Sequence, residues 1–582
     1  MATSFRAGWT QLSTDFPNYY TAAVLVMRGQ PLRDYYDWTW FARQMNYAGV
    51  ERQLGAYTPQ TPLTMLPMMP LAGLPPLAAK RVWLSLDLVF LAATVWMLGR
   101  MTRIRWEYIS LLLLCGWGSL TANAVNGQYY IFLLSLIVLV IYYFERGRFG
   151  AAGFVSGVAF CLKLYTGPLF LLFAAKRCWR AMVMMLAATS LLGAIAIALF
   201  GWGDVLYYLR HVLPRTLEGG SIDPYNPGVP TISTLLRRLW VRDPALNPNP
   251  ILDAPGFFFF AQSTVRLALT TLAVFGVAVS NKSDRLREFA VLLLAVLLLS
   301  TSVASYTFVL LLPPIVLLLD GASRLRTIYL ASSYILLNNN IGMAWLFPKV
   351  WLLVILFILA GSTLWRSIVW PRAVAAAILI ILVSAANTIQ RMSDYRQEPG
   401  RRYRQISVGQ SLFAGYPTMT RWGLFYQGMG DQRRGEDGYL LRWVHGDRME
   451  QLGFHGYALQ PRAPDAEGPV WFELVANRTS RLMRFDPRTG ASAESNLASD
   501  SIARNEAPIS PDGKWKVYVE EDIVSRRLWI ENTATGEKRM LAGGACDSFS
   551  PTWELDSSAV VFASDCGRAF GLPALYRAPI ER

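Results

Sequence analysis

Histidine and cysteine are scarce in this chain, which has three and five of them among 582 residues. None of His211, His445 and His455 has a second histidine or a cysteine at ligand spacing, so the sequence predicts no metal site. No glycine-rich phosphate loop is present either, which argues against a nucleotide cofactor. Charged residues make up only 16 %, against about 25 % in an ordinary soluble protein. Aromatic residues reach 13 %, which excludes a disordered chain.

The net charge of +15 is unevenly distributed. Residues 391–582 hold 25 basic and 25 acidic residues, so the whole excess lies in residues 1–390, which contain the apolar runs. A basic apolar part beside a neutral polar part is typical of a membrane protein with a water-soluble domain. The charge is therefore an orientation signal, and no nucleic-acid partner is predicted.

Long apolar runs dominate the first part of the chain. A spanning helix needs roughly 17–25 mostly apolar residues, and several runs reach that length with their flanks. About ten crossings of a multi-spanning α-helical domain are predicted, from the runs Val82–Leu98, Ile109–Val125, Tyr129–Phe144, Ala181–Phe200, Ala261–Ser280, Phe289–Val303, Phe308–Leu319, Ile328–Asn338, Trp351–Leu364 and Ala373–Ala386.

Short basic connections set the predicted orientation. Six of them carry 15 Lys/Arg against 5 Asp/Glu and are expected to face the cytoplasm: Arg100–Glu107, Glu145–Arg148, Lys176–Arg180, Lys282–Glu288, Asp320–Arg326 and Arg366–Arg372. Residues 1–77, the long connection 202–260 and everything after Gln390 then lie outside a plasma (inner) membrane. No spanning run precedes this outside segment, so either an initial helix is missing upstream of Met1, which we favour, or the N-terminus is translocated without one.

The segment Ala151–Ala175 has basic flanks at both ends but is too short for two crossings. We expect a broken re-entrant hairpin, with Gly167-Pro168 as the breaker and Lys163 and Tyr165 at its tip. Two further outside elements are predicted. Residues 16–30 form an amphipathic helix in the membrane interface, and Pro62–Leu74 forms a short half-buried piece.

The tail alternates strand-like runs with turn signals and predicts an all-β soluble domain. Runs beginning at Leu440, Leu482, Leu528 and Leu575 recur after 42, 46 and 47 residues, a spacing typical of four-stranded propeller blades. The repeats resemble those of TolB-like propellers. We place a membrane domain at 1–389, a linker at 390–405 and a propeller-like extracytoplasmic domain at 406–582, where a disulfide between the tail's two cysteines, Cys546 and Cys566, is an open possibility.

Asp15 is the main candidate for chemistry, in the motif STDFPNYY. It precedes Pro17 at the start of a predicted helix, so capping is the simplest interpretation. The alternative is a general base at the membrane surface. Asp34 and Asp37 are interpreted as loop charges, although either could bind a sugar hydroxyl.

Polar groups between apolar runs are the remaining candidates. Asn126 and Gln128 flank a glycine and are explained by a hairpin turn or by substrate binding. Lys163 either extends to the headgroups or binds an anionic phosphate. Arg237, beside Arg238, is a second phosphate ligand or an interface anchor, and Tyr306 is a ligand or a belt residue.

Several pieces in order resemble glycosyltransferase family 87, the polyprenyl-phosphate-sugar-dependent, C-type membrane glycosyltransferases. They are DFPNYYTAAVLVMRGQPLRDYY, YTPQTPLTMLPMMPLAGLPPLAAKRVW, NGQYYIFLLSL, AAGFVSGVAFCLKLYTGPLFLLF, NPGVPTISTLLRRL and STSVASYTFVLLLPP. The resemblance implies that Asp15 is the catalytic base and that Lys163 and Tyr165 belong to the substrate site. Two departures are Thr166, where the family usually has proline, and Ser305, where it often has histidine.

The resemblance implies transfer of a sugar, expected to be mannose, from a polyprenyl-phosphate donor to an extracytoplasmic acceptor hydroxyl with inversion. The acceptor is a lipid, a glycan or a protein, membrane lipids surround the domain, and no cofactor is expected. Two alternatives stay open. One is a transporter or flippase for a lipid-linked sugar, and the other is a membrane-anchored propeller binding protein with a degenerate enzyme domain.

Overall fold

The computed structural model describes residues 2–12, 15–50, 54–219, 223–279, 285–365, 370–407, 412–430, 438–446, 448–497, 509–522 and 524–580. An α-helical domain comes first, and a domain of separate β-sheets follows. This order confirms the predicted succession of a helical and an all-β part. The basic connections around residues 281–284 and 366–369 lie partly outside the described residues.

The helices are α1 Ala2–Thr10, α2 Phe16–Met27, α3 Leu32–Tyr35, α4 Trp38–Tyr47, α5 Pro76–Met101, α6 Trp106–Cys115, α7 Trp117–Asn126, α8 Tyr130–Glu145, α9 Phe149–Leu162, α10 Leu169–Ala175, α11 Trp179–Tyr207, α12 Leu213–Leu217, α13 Ile232–Trp240, α14 Pro255–Val279, α15 Arg285–Leu299, α16 Leu312–Leu319, α17 Arg324–Asn338, α18 Pro348–Gly361, α19 Trp370–Gln397 and α20 Pro399–Arg402. Short 3₁₀ helices at 66–71, 164–166, 305–311 and 344–346 and a π-helix at 208–212 lie between them.

Four of these helices are long and apolar enough to cross a membrane, namely α5, α11 continued through α12, α14 and α19. The pair α6 and α7 is bent by 69° and makes a fifth if it counts as one broken span. Shorter apolar helices surround them, including α8, α9 and α18. A multi-pass membrane domain follows, but the predicted ten crossings are not confirmed, because most of the predicted runs fold into helices of 10–17 residues.

The segment Ala151–Ala175 is broken at the predicted tip, which holds Lys163 and Tyr165. Helix α9 ends at Leu162, and Lys163 takes an extended conformation with φ −153° and ψ 128°. A 3₁₀ turn follows at 164–166, and α10 begins beyond Pro168. Gly167 itself has helical dihedrals, so the Gly-Pro pair starts the returning helix and Lys163 interrupts the outgoing one.

Connections predicted to be cytoplasmic meet at one end of the helical domain. Lys176 forms an ion pair with Glu288 at 2.6 Å. Arg285 lies close enough to Glu145 to act on it electrostatically. Three of the six basic connections therefore share this end, and α9 leads away from it toward Lys163 at the opposite end.

Helix α2 forms as predicted but is more deeply buried than an interfacial helix. Nine of its twelve residues are buried, including Phe16, Tyr19 and Tyr20. Their partners include Tyr57, Met68 and other buried residues of the N-terminal part of the chain. The sequence pattern alone does not show that these residues pack together. The apolar face predicted to enter lipid therefore packs against protein. The piece predicted at 62–74 is mainly a 3₁₀ helix.

Among the described residues, four sheets form the second domain, which begins after α19 and α20 have run through most of the predicted linker. Their strand orders are β2-β3-β4-β5, β6-β7-β8-β9, β10-β11-β12 and β13-β14-β15-β1. The strands are β1 Arg404–Gln405, β2 Ala414–Thr420, β3 Gly423–Met429, β4 Tyr439–His445, β5 Arg448–Leu452, β6 Tyr457–Arg462, β7 Val470–Ala476, β8 Thr479–Asp486, β9 Ala491–Glu494, β10 Trp515–Glu521, β11 Arg526–Asn532, β12 Lys538–Ala542, β13 Ser548–Trp553, β14 Ala559–Ser564 and β15 Ala574–Pro579.

The recurring Leu-containing runs place one strand in each sheet: β4, β8, β11 and β15. The first strand of the domain, β1, pairs with the last, β15, so the two ends of the domain are joined by backbone hydrogen bonds. Cys546 and Cys566 form a disulfide, which resolves the pairing that the sequence leaves open. The separate sheets are established, whereas their arrangement as a propeller stays a prediction.

The β domain packs against α4 and nearby residues of the helical domain. Trp38 and Ala42 of α4 share one apolar cluster with Tyr439, Tyr457 and further β-domain residues. The indole Nε1 of Trp38 donates to the Phe570 carbonyl at 3.0 Å. Aromatic burial of this kind stabilises a permanent contact between domains.

A buried ionic network adds to this contact. Asp547 of the β domain accepts from His211 Nε2 at 3.1 Å and from Arg215 at 3.3 Å, and Arg215 also pairs with Asp565 at 2.6 Å. Burial alone would raise the pKa of Asp547, but the His211 hydrogen bond and the neighbouring arginine charges hold that pKa well below its usual range. Asp547 is therefore charged at neutral pH and depends on its partners.

We predict that Asp547→Asn loosens the β domain from the helices. Removing one partner of a buried ion pair leaves the other charge uncompensated and costs about 3–5 kcal/mol. A lower melting temperature and faster proteolysis of the β domain should result in the detergent-solubilised chain. The matched control is Glu467→Gln, which breaks an exposed pair with Arg421; equal stability of the two variants would contradict a role for the network.

Candidate functional site

A polar and aromatic cluster lies at the end of the helical domain opposite the basic connections. It combines the start of α2, the turn between α7 and α8, the break after α9 and the 3₁₀ helix at 305–311. Its main members are Asp15, Tyr19, Gln60, Gln128, Tyr130, Lys163, Tyr165 and Tyr306.

Asp15 occupies the N-cap position of α2, but its side chain makes no capping hydrogen bond. Only its backbone carbonyl takes part, accepting from the Asn18 N–H at 3.1 Å. The carboxylate instead lies close enough to the side chain of Gln128 and to Lys163 for both to act on its pKa. The capping interpretation is therefore wrong for the side chain, which faces the cluster.

Burial raises the pKa of Asp15, although the hydrogen bond from Gln128 and the positive charge of Lys163 act to lower it. Asp15 lies between α1 and α2, outside the candidate spanning helices. A carboxylate with a raised pKa is a better proton acceptor than one in water.

Gln128 links Asp15 to Tyr19. The Tyr19 hydroxyl donates to Gln128 Oε1 at 2.6 Å. A charged carboxylate only accepts hydrogen bonds, so the NH₂ group of the same amide is the part that can donate to Asp15. Tyr19 also stacks on Tyr129, with ring centroids 4.1 Å apart. The amide is thereby fixed in the orientation that suits a charged Asp15.

Lys163 completes the polar cluster. Its Nζ donates to the Tyr19 hydroxyl at 3.3 Å and to Gln60 Oε1 at 3.2 Å, and it lies 4.6 Å from the centroid of the Tyr130 ring. Among the described residues, no carboxylate lies within ion-pair distance of this ammonium group. Its charge is shared among a hydroxyl, an amide and a ring, which leaves it able to attract an anion.

Tyr165 and Tyr306 form the aromatic side of the cluster. The Tyr165 hydroxyl lies 3.3 Å from both the Tyr130 hydroxyl and Ser300 Oγ. The ring of Tyr306 stacks on Tyr130 with centroids 5.2 Å apart. The carbonyl of Tyr306 accepts from Asn123 Nδ2 at 2.9 Å, which fixes the 3₁₀ helix to α7.

Three residues predicted for the site lie elsewhere. The side-chain amide of Asn126 donates to the Ala122 carbonyl at 2.9 Å, within its own helix. Arg237 lies 5.0 Å from the ring centroid of Phe258 and lines a cavity of about 310 Å³ beside the β domain. Asp34 sits on the short α3, where its nearest charges are Asp37, Arg33 and Asp204. Charge and membrane side alone do not specify which side chains meet, so a substrate contact of these three residues stays a prediction.

Asp37 is accounted for structurally, because its carboxylate caps α4 by accepting from the Trp40 N–H at 2.8 Å. Sequence reasoning missed Tyr19, Gln60 and Tyr130 as members of the cluster. Tyr19 had a usable signal, since it stands four residues after Asp15 on the same helix face. For Gln60 the only signal was a polar residue within the Pro-rich run YTPQTP.

The arrangement joins a proton acceptor to a cation in one apolar setting. A carboxylate with a raised pKa suits proton abstraction, and a lysine with no carboxylate at ion-pair distance suits stabilisation of a departing anion. In the described part of the chain, no group of three or more His, Cys, Asp or Glu residues is placed to hold a metal ion.

Comparison with known proteins supports the class that these features define. The apolar helices describe a multi-pass membrane protein, and residues 57–313 match the model of Glycosyltransferase family 87. This match covers 257 of the 582 residues and supports the resemblance that the sequence motifs indicate. A search of curated proteins finds no match.

One of the solved structures similar to this chain is an oligogalacturonate lyase in complex with manganese. It shares 17 % identity over 29 % of this chain, has a TM-score of 0.13, and is itself covered over 49 % of its length. A match over about half of that chain at so low a TM-score says nothing about the arrangement of the β domain.

Proposed function

We propose that this chain transfers a sugar, mannose in the simplest case, from a polyprenyl-phosphate donor to an acceptor hydroxyl, with inversion. The observation that carries the proposal is the position of Asp15 beside the hydrogen-bonded side chains of Gln128, Tyr19 and Lys163. The match to the glycosyltransferase family over residues 57–313 supports it.

In the proposed reaction the acceptor oxygen attacks the anomeric carbon of the sugar. The bond from that carbon to the phosphate oxygen breaks, and the phosphate keeps the bonding electrons. Asp15 takes the proton of the acceptor hydroxyl, and Lys163 stabilises the charge that remains on the lipid phosphate. Gln128 orients Asp15 through its NH₂ group, and Tyr19 orients Gln128.

The aromatic rings of the cluster provide the apolar surroundings of these groups. Tyr130 lies between Lys163 and Tyr306, so it keeps the ammonium group beside the 3₁₀ helix. A cation acts more strongly on a developing charge where water is excluded. The cluster therefore favours displacement of a phosphate group without a metal ion.

The proposal places the cluster and the β domain outside a plasma (inner) membrane. Two features support this orientation. Basic connections meet at the opposite end of the helical domain, and residues of the first outside segment contact the β domain.

We expect Asp15→Asn to lower the turnover number by about 10²–10⁴-fold, because the amide keeps the shape of the side chain but accepts no proton. Turnover is measured as transfer of radiolabelled mannose from polyprenyl-phosphate mannose in membranes that contain the chain. Asp465→Asn, which changes an exposed carboxylate of the β domain, is the matched control. Unchanged transfer by Asp15→Asn would remove Asp15 from the mechanism, and lipid-linked sugar movement without product would favour the flippase alternative.

The pH dependence of transfer provides a second test. A general base must be unprotonated, so activity should rise with pH through a pKa above the ordinary Asp value of about 3.9. Gln128→Ala removes a donor that stabilises the charged form of Asp15, and the acidic limb of kcat/KM should then move to higher pH. Asn387→Ala, whose amide binds Ser263, should leave the limb in place.

Labelling of single introduced cysteines tests the orientation. Lys514→Cys on the exposed surface of the β domain should react with an impermeant maleimide in intact spheroplasts. Arg103→Cys, in the exposed connection between α5 and α6, should react only after permeabilisation. The reverse pattern would contradict the orientation and place Asp15 on the cytoplasmic side.

A further inference from the structure

A second cavity, of about 290 Å³, lies next to the cluster. Its walls come from the turn at 227–230, the start of α7, the 3₁₀ helix at 305–311 and the connection from Asn338 to Lys349. The bend of 69° between α6 and α7 falls at Gly116, beside this cavity. Broken helices in membrane proteins commonly make room for polar ligands.

Lys349 is the cation of this cavity. Its Nζ lies 4.6 Å from the ring centroid of Phe308, and its side chain is half-buried. Within the described ranges, neither a hydrogen bond nor an ion pair is found for its ammonium group. Two other lysines with low exposure are satisfied: the buried Lys80 donates to two carbonyls at 2.7 and 2.6 Å, and the half-buried Lys176 pairs with Glu288. A half-buried ammonium with only a ring as neighbour favours an anionic ligand.

Three asparagines line the cavity beside Lys349. Two of them form hydrogen bonds to α7, and the third has an amide group that can donate to a ligand. Asn338 and Asn339 hold the start of α7, through Ser119 Oγ and the Gly118 N–H. Asn340 is exposed, and its Oδ1 accepts from the Gly342 N–H at 3.1 Å. Its NH₂ group is left as a donor near Lys349. A cation and an amide donor together suit a phosphate group.

The rim of the cavity is apolar. Met343, Trp345 and Trp351 are 61 %, 65 % and 54 % exposed and lie in or beside the connection that carries Lys349. Large aromatic residues exposed together at the end of apolar helices are typical of the membrane interface. A ligand that enters past this rim has an apolar part.

The cavity reaches the cluster through two consecutive residues. Ser305 lines the cavity, and Tyr306 stacks on Tyr130, above which Lys163 lies. A phosphate held at Lys349 would be adjacent to the cluster, with its hydrocarbon chain directed to the exposed rim.

We propose that the cavity at Lys349 binds the phosphate of a lipid, with Lys349 as its charge partner and Asn340 as a hydrogen-bond donor. This inference rests on the proposed function and extends it, because it assigns a second site, next to the one at Lys163, to a lipid phosphate before or after transfer. The shared chemistry is an anionic phosphate on a hydrocarbon chain, and the two sources are a polyprenyl phosphate and a membrane phospholipid.

The test measures binding of a long-chain polyprenyl monophosphate to the purified full chain, by the shift of melting temperature in neutral detergent. We expect Lys349→Gln to weaken the apparent affinity by about tenfold or more, as befits loss of a charged hydrogen bond. Lys349→Arg should retain most of the affinity, and the matched control Lys514→Gln, on the exposed face of the β domain, should bind like wild type.

Two further arms identify the source and separate this inference from the proposed function. Competition by phosphatidic acid would assign the cavity to lipid phosphates in general, and lack of competition would assign it to the polyprenyl lipid; both support the site. Asp15→Asn should bind the polyprenyl phosphate normally while it transfers no sugar. Equal binding by Lys349→Gln, or an equal response to inorganic phosphate alone, would overturn the inference whatever the outcome for transfer.

Discussion

The cost of holding a charge in apolar surroundings organises the candidate site. The ammonium group of Lys163 stands where α9 breaks, and a hydroxyl, an amide and an aromatic ring share its charge. An isolated buried cation is unfavourable unless it is paired or solvated. The break, the aromatic rings and the first outside segment are therefore parts of one arrangement around this charge, which stays free to meet an anion.

The β domain contributes to the same arrangement from a distance. Its contacts with Trp38 and Ala42 fix α4 within the first outside segment, and the network around Asp547 fixes the residues that follow α11. Both pieces of the helical domain belong to the end that carries Asp15 and Lys163. Domain contact and site geometry are thus linked through packing.

Sequence patterns predicted the helices and strands better than the tertiary contacts between them. Composition and basic connections indicated a membrane domain followed by β structure, and the spacing of Leu440, Leu482, Leu528 and Leu575 placed one strand in each of four sheets. The number of crossings was not confirmed, because an apolar run shorter than a membrane is thick does not reveal whether it spans. The pattern at 16–30 likewise identified a helix without revealing that protein covers it.

For the site, the sequence brought forward Asp15, Gln128, Lys163, Tyr165 and Tyr306, which the structure places together. The sequence did not reveal which side chains Arg237 and Asp34 contact. A charged residue on the predicted side of the membrane carries no local pattern that identifies its tertiary neighbours.

Lys349 is a residue that the sequence did not identify as a candidate for binding. In the sequence it is one lysine beside an apolar helix, and only the bend at Gly116 and the nearby Tyr306 give it a cavity and a neighbour. Because the fold places Lys349 in a cavity, this lysine becomes a candidate ligand for a lipid phosphate. The proposed role of such a residue therefore depends on its site and cannot be read from the sequence alone.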